Sequence, residues 1–121
     1  MALETRTGGE SVGSLSGFAR RASEAYNAQA MAMVRYILLY TGDVQGVGFR
    51  YTACRAAAGL AVTGYARNLP DGRVQCVVEG ETEQADEFCR LLAERMRPHI
   101  RGQTRQDAPP TGEFASFGIR H

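Results

Sequence analysis

From Val34 the chain reads VRYILLYT, β-branched and aromatic without a breaker, which predicts a strand largely buried on both faces. Beyond it, Phe49, Ala53, Ala56, Ala57 and Leu60 recur at helical spacing, so a helix is predicted to open at Gly48 or Phe49 with Arg55 off the buried stripe. VTGYARN and RVQCVVEG then predict two strands, with Val74, Cys76 and Val78 alternating on one face. Between them LPDG supplies a turn: Pro70 presets φ, Asp71 offers a side-chain bond and Gly72 accepts positive φ. A second amphipathic helix is predicted from about Glu81 to Arg97, its stripe being Ala85, Phe88, Cys89, Leu92 and Met96. Ile100 and Thr104 predict a thin polar edge strand, Phe114, Phe117 and Ile119 a closing strand, and APPTG the loop between. This order predicts an α+β fold, a ferredoxin-like βαββαβ sandwich with an antiparallel sheet and two helices on one face.

Residues 1–30 break this regularity. They are rich in Gly, Ser and Ala, balance three Glu against three Arg, and carry only scattered large apolar residues. A flexible N-terminal extension is expected there, followed by one domain over residues 31–121.

Composition narrows the chemistry. A formal net charge of +1 supplies no general field for nucleic acid or an anionic membrane, so no partner of either kind is expected and any anion site has to be local. All 14 basic residues are arginines, which leaves guanidinium groups and backbone amides to handle phosphate. Cys54, Cys76 and Cys89 lack C-x-x-C spacing and are expected as reduced core residues, in keeping with a cytoplasmic location. No apolar run approaches the length of a membrane span. The acids Glu81, Glu83, Asp86 and Glu87 crowd the start of the second helix, where its dipole favours them, and no metal or cofactor is expected.

The segment TGDVQGVGFR, Thr41 to Arg50, joins the first strand to the first helix through three glycines. Glycines permit the left-handed dihedrals that make successive amides converge, and they lack the Cβ that would hold a phosphate oxygen away. The helix start leaves further N–H groups without intrahelical partners, and Arg50 can add a planar fork of donors. Spacing alone fits a tight turn with a surface arginine equally well. Neither a Walker loop nor a Rossmann fingerprint is present.

Residue by residue, the match is sharper. Gly42, Val44 to Val47, Phe49, Arg50, Ala57, Leu60, Gly64, Asn68, Asp71 and Gly72 stand in the pattern G-x-V-Q-G-V-x-F-R followed by A-x-x-L-G-L-x-G-x-V-x-N-x-x-D-G. The chain from about Val34 to His121 resembles the acylphosphatase family, departing from it at Ala61, Val62, Ala66 and the polar stretch 98–107. The resemblance implies metal-independent hydrolysis of a carboxyl phosphate to a carboxylate and inorganic phosphate, with a small-molecule acyl phosphate as substrate and a monomer as the working unit. It also implies roles. Arg50 and the amides of Gln45, Gly46, Val47, Gly48 and Phe49 would bind the phosphoryl group, and Asn68 would position the attacking water. His99 and His121 lie outside both motifs. Because acylphosphatase-like domains also occur inside larger hydrogenase-maturation proteins, the alternative is a non-catalytic domain that binds acyl or carbamoyl phosphate.

Overall fold

A computed structural model describes residues 31–121; the expected extension over residues 1–30 lies outside the described residues. The elements are β1 (Met33–Gly42), α1 (Phe49–Ala58), β2 (Val62–Asn68), β3 (Val74–Glu81), α2 (Thr82–Met96), a 3-10 turn (Arg97–His99), β4 (Ile100–Ala108) and β5 (Phe117–Arg120). They form one sheet in the order β4-β1-β3-β2-β5. Both helices pack on one face of it and touch each other.

Side-chain alternation builds the core. Tyr36, Leu38 and Tyr40 of β1 lie opposite Val78, Cys76 and Val74 of β3, and all six are buried. Against them α1 sets Phe49, Ala53, Ala56 and Ala57, while α2 sets Ala85, Phe88, Leu92 and Met96. The small alanines of α1 let its backbone approach the sheet closely, and Phe88 fills the wider gap beside Phe117, ring centroids 5.1 Å apart. The other face of β1 is only half-buried at Arg35, Ile37 and Leu39, so the strand is not enclosed on both sides as its apolar run predicts. The helices cover one face alone.

A second correction concerns strand direction. Four strands pair antiparallel, as expected, but β5 runs parallel to β2 and makes the sheet mixed. The route of the chain explains this. β4 ends at Ala108 opposite Arg35, beside the start of β1, and residues 109–116 then cross to the far edge at the same end of the sheet. They arrive where β2 starts, the Gly64 amide donating to the Ser116 carbonyl at 3.1 Å, and β5 can only run alongside β2 from there.

The crossing segment is fastened by Glu79, a β3 residue whose burial the sequence pattern does not announce. At 2% exposure Glu79 is the one buried charged side chain among the described residues. Its Oε2 accepts from Arg35 at 2.6 Å and from the amide and hydroxyl of Thr111 at 2.9 and 3.0 Å, and its Oε1 from the Gly112 amide at 3.0 Å. Burial pushes this carboxyl up, but the Thr111 amide, Arg35, the Gly112 amide and the Thr111 hydroxyl outweigh it and hold the group at about 2. Further along, the Phe114 ring meets Tyr65 edge-on at 5.8 Å, and Arg120 covers the Tyr65 ring at 4.0 Å.

The first helix closes without a left-handed alanine. Gly59 caps it at φ −91°, the Leu60 amide donates to the Ala57 carbonyl, and the Ala61 amide donates to Gln84 Oε1 at 2.9 Å. A side chain from α2 thereby fixes the chain just beyond the Gly59 cap.

Two stability outcomes follow from this packing. Glu79→Ala should cost roughly 3 kcal/mol at neutral pH in urea denaturation, because it leaves Arg35 and two strap amides without their acceptor. Since the folded carboxyl sits at about 2 against an ordinary 4.5, its contribution is complete above 4.5 and is lost as pH falls toward 2. The stability gap between the wild type and Glu79→Gln should therefore shrink across that window; a constant gap would contradict the assignment. At Gly64, φ 142°, an added Cβ would lie 1.8 Å from the Val77 carbonyl oxygen, whereas Gly72, φ 95°, has open space around it. Gly64→Ala should cost more than about 3 kcal/mol and Gly72→Ala only about 1 kcal/mol, an ordering that thermal melts would check.

Candidate functional site

The loop between β1 and α1 is held from its ends. At Gly42, φ 126°, a Cβ would sit 2.4 Å from the His99 carbonyl oxygen, so β1 can pass this close to the 3-10 turn only as glycine. The next amide, Asp43, donates to that same carbonyl at 2.9 Å. His99 thus serves the loop through its backbone. Val44 then plugs into the core with no exposure, and at the other end Phe49, 1% exposed, stacks at 4.8 Å on the Tyr40 ring.

Between these anchors the backbone is bare. Gly46 and Gly48 both adopt φ 79°, and an added Cβ at either would meet nothing within 4 Å, so the requirement there is conformational rather than steric. Gly48 caps α1 without a side-chain bond, and no acidic residue stands in the first turn. The backbone N–H groups of residues 45–50 donate to no other described residue; the backbone bonds nearest them are Asp43 to His99 and Thr52 to Gly48. Successive free N–H groups at a helix N-terminus favour negative charge beside them.

Arg50, the second residue of α1, is half-buried and forms no ion pair or hydrogen bond with another described residue. Arg67, Arg95 and Arg97 are likewise unpaired among the described residues, whereas other arginines meet acids. Arg73 pairs with Asp71 at 2.8 Å, Arg90 with Glu87 at 2.7 Å, and Arg101 with Asp43 at 3.1 Å.

Asn68 is brought to the same place by strand register. Tyr40 of β1 and Asn68 of β2 both lie opposite Val74, on either side of β3, about 10 Å apart across two strand spacings. Residues directly opposite one another share a face, and Tyr40 and Val74 face the helices, so Asn68 does too. β1 and β2 run in the same direction, because both are antiparallel to β3, and the cradle and Asn68 therefore sit at one end of the sheet. The Asn68 side chain forms no hydrogen bond with another described residue.

One contact was not legible beforehand. The Gln45 side-chain amide donates to the Leu69 carbonyl at 2.7 Å and to the Arg73 carbonyl at 2.9 Å, tying the loop to the hairpin that carries Asn68. The hairpin itself is closed as its residues predict, with Leu69 N–H to Arg73 O at 2.8 Å, Gly72 N–H to Leu69 O at 3.1 Å and Arg73 N–H to Asp71 Oδ1 at 3.1 Å. The family resemblance implies a role for Gln45 only as one backbone amide of the loop.

The remaining titratable groups stand apart from this chemistry. Cys54, Cys76 and Cys89 are free, and burial pushes all three thiols up, Cys89 to about 11. Tyr40 buries its hydroxyl without a partner among the described residues, and burial holds it neutral. The acids of α2 do not converge: Asp86 accepts from the Tyr36 hydroxyl at 2.7 Å and Glu87 pairs with Arg90. Among the described residues no group of three or more His, Cys, Asp or Glu could hold a metal ion, and no helix is long and apolar enough to cross a membrane.

Comparison with known proteins matches this architecture. Residues 36–119 fit the family model described as acylphosphatase. A protein named acylphosphatase from Methylococcus capsulatus is 41% identical over 90 residues, 72% of this chain and 96% of its own length. The crystal structure of acylphosphatase from Bacillus subtilis shares the fold, with a TM-score of 0.66 and 24% identity over 73% of this chain and 99% of that one. The crystal structure of T. kodakarensis HypF is similar with a TM-score of 0.61 and 29% identity, over 74% of this chain but only 12% of that one. From Tyr36 to Ile119, glycine cradle, hairpin and closing strand included, the chain belongs to the acylphosphatase family.

Proposed function

We propose that this protein is an acylphosphatase, which hydrolyses acyl phosphates to a carboxylate and inorganic phosphate. The observation that carries the reading is the row of unpartnered amides over residues 45–50, beside an unpaired Arg50 and at the same end and face of the sheet as Asn68. The amides of Gln45, Gly46, Val47, Gly48 and Phe49, with the Arg50 guanidinium, bind the three phosphoryl oxygens. Asn68 holds a water on the far side of phosphorus from the acyl oxygen.

Each part of the reaction has a group assigned to it. The water oxygen forms a bond to phosphorus while the bond from phosphorus to the acyl oxygen breaks, and that electron pair leaves on the carboxylate. One proton of the water stays on the new phosphate oxygen and the other goes to the phosphate group. A carboxylate is a good enough leaving group to depart without a general acid, which an alkoxide would need. Charge spreads over the equatorial oxygens as the transition state forms, where fixed amides and a guanidinium stabilise it without a metal. Selectivity for acyl phosphates over ordinary phosphate esters follows.

The substrate is taken as a small molecule handled by a single chain, since every proposed site residue comes from one chain. Three unpaired cysteines fit a reducing compartment, and the cytoplasm is the location proposed. The alternative, a domain that binds acyl or carbamoyl phosphate without turnover, draws support from the likeness to a small part of HypF. The match to nearly the whole length of the Methylococcus capsulatus relative favours hydrolysis.

Purified protein in excess chelator should cleave benzoyl phosphate rapidly and para-nitrophenyl phosphate negligibly; binding without cleavage would select the alternative. Arg50→Ala should lower kcat/KM by about 10³-fold or more and abolish inhibition by phosphate, and phosphate inhibition surviving the change would remove Arg50 from the site. Asn68→Ala should lower kcat by roughly 10²-fold while phosphate inhibition changes by no more than about twofold, because the side chain acts on water. Normal turnover with weakened phosphate inhibition would reverse that role.

A further inference from the structure

We infer that the Gln45 side chain is a positioning residue, fixing Asn68 and its water against the phosphoryl cradle without itself touching substrate; this rests on the hydrolysis proposed above. A side-chain amide has two N–H donors, and both are engaged, one by the Leu69 carbonyl at 2.7 Å and one by the Arg73 carbonyl at 2.9 Å. The side chain keeps only its carbonyl oxygen, an acceptor that a phosphoryl oxygen would repel. Donor counting therefore excludes the Gln45 side chain from binding phosphate, even though its backbone amide belongs to the cradle.

The clasp is also not required for closing the turn. Leu69 and Arg73 are already joined by the Leu69 N–H to Arg73 O bond, Gly72 donates to Leu69, and Asp71 secures the Arg73 amide. Residues 70–72 are exposed, so water can reach the turn. What the two Gln45 bonds add is a fixed distance between two parts of the chain 24 and 28 residues apart. Leu69 follows Asn68 directly, and a shift of its peptide shifts the Asn68 side chain with it. Reactions that depend on in-line placement of a nucleophile lose about 10²-fold in rate for a displacement of about 1 Å.

The test is a double-mutant cycle. Gln45→Met preserves the length of the side chain and removes both donors; Gln45→Leu, uncharged and of similar volume, runs in parallel in case the methionine variant fails to fold. Each is measured in the wild-type and Asn68→Ala backgrounds for kcat on benzoyl phosphate and for inhibition by inorganic phosphate. In the wild-type background the expected loss is about 30-fold in kcat with phosphate inhibition changed by less than about twofold. In the Asn68→Ala background the same change should lower kcat by less than about threefold, because the group through which Gln45 acts is gone. Equal losses in both backgrounds, or phosphate inhibition weakening in step with kcat, would overturn the inference while leaving the hydrolase reading intact. Wild-type protein that leaves benzoyl phosphate uncleaved would overturn both.

Discussion

Amides that are to hold a ligand cannot also hold the loop they belong to. That constraint governs the first half of the described chain. The segment from Gln45 to Arg50 forms no amide bonds with the rest of the described protein, so its shape has to be imposed from elsewhere. The Asp43 amide bonds to His99, Val44 sinks into the core, Phe49 packs on Tyr40, and the Gln45 side chain reaches across to the hairpin. Each restraint uses a flanking group or a side chain and leaves the cradle's N–H groups free. The two left-handed glycines then set the curvature.

Electrostatics follow the same division. The core cluster holds no charged side chain; the buried Glu79 lies opposite Arg35 on the other face of the sheet, where four short bonds satisfy its carboxylate far from the loop end. Some arginines are matched with acids, Arg73 with Asp71, Arg90 with Glu87, Arg101 with Asp43 and Arg105 with Asp107, while Arg67, Arg95 and Arg97, like Arg50, pair with no acid among the described residues. With a net charge of only +1, the protein offers an anion little long-range attraction. In the function proposed above, recognition would fall to short-range geometry, the Arg50 guanidinium beside the free backbone amides.

Much of this was legible in the sequence, and the limits of that legibility have physical causes. Apolar spacing located both helices and all five strands, since period and burial are local properties of a segment. Glycines and the Pro-Asp-Gly turn located the cradle and the hairpin, because left-handed dihedrals demand particular residues. The parallel β5 was not legible: strand direction depends on where the crossing segment arrives, and no alternation within four residues records it. The buried state of Glu79 depends on residues 32 to 44 positions away, and the Gln45 bond on carbonyls 24 and 28 positions away. A glutamate and a glutamine in those places look like surface residues until the sheet is assembled. The bond from the Ala61 amide belongs with them, since its acceptor comes from the other helix.

The sheet order has a consequence for how the protein reaches its native state. β1, near the middle of the sheet, pairs with β3 and β4, so Met33 meets Glu81 and Arg35 meets Ala108. Only β2 and β3 form a local hairpin. Most of the pairing must close long loops before it yields stabilising contacts, and chains of that kind fold slowly. The bonds that shape the cradle, from His99 and from the hairpin carbonyls, join segments that become neighbours only after that closure. A partly folded chain therefore lacks the shaped loop, and the phosphate affinity proposed for it would emerge only once those distant segments have closed.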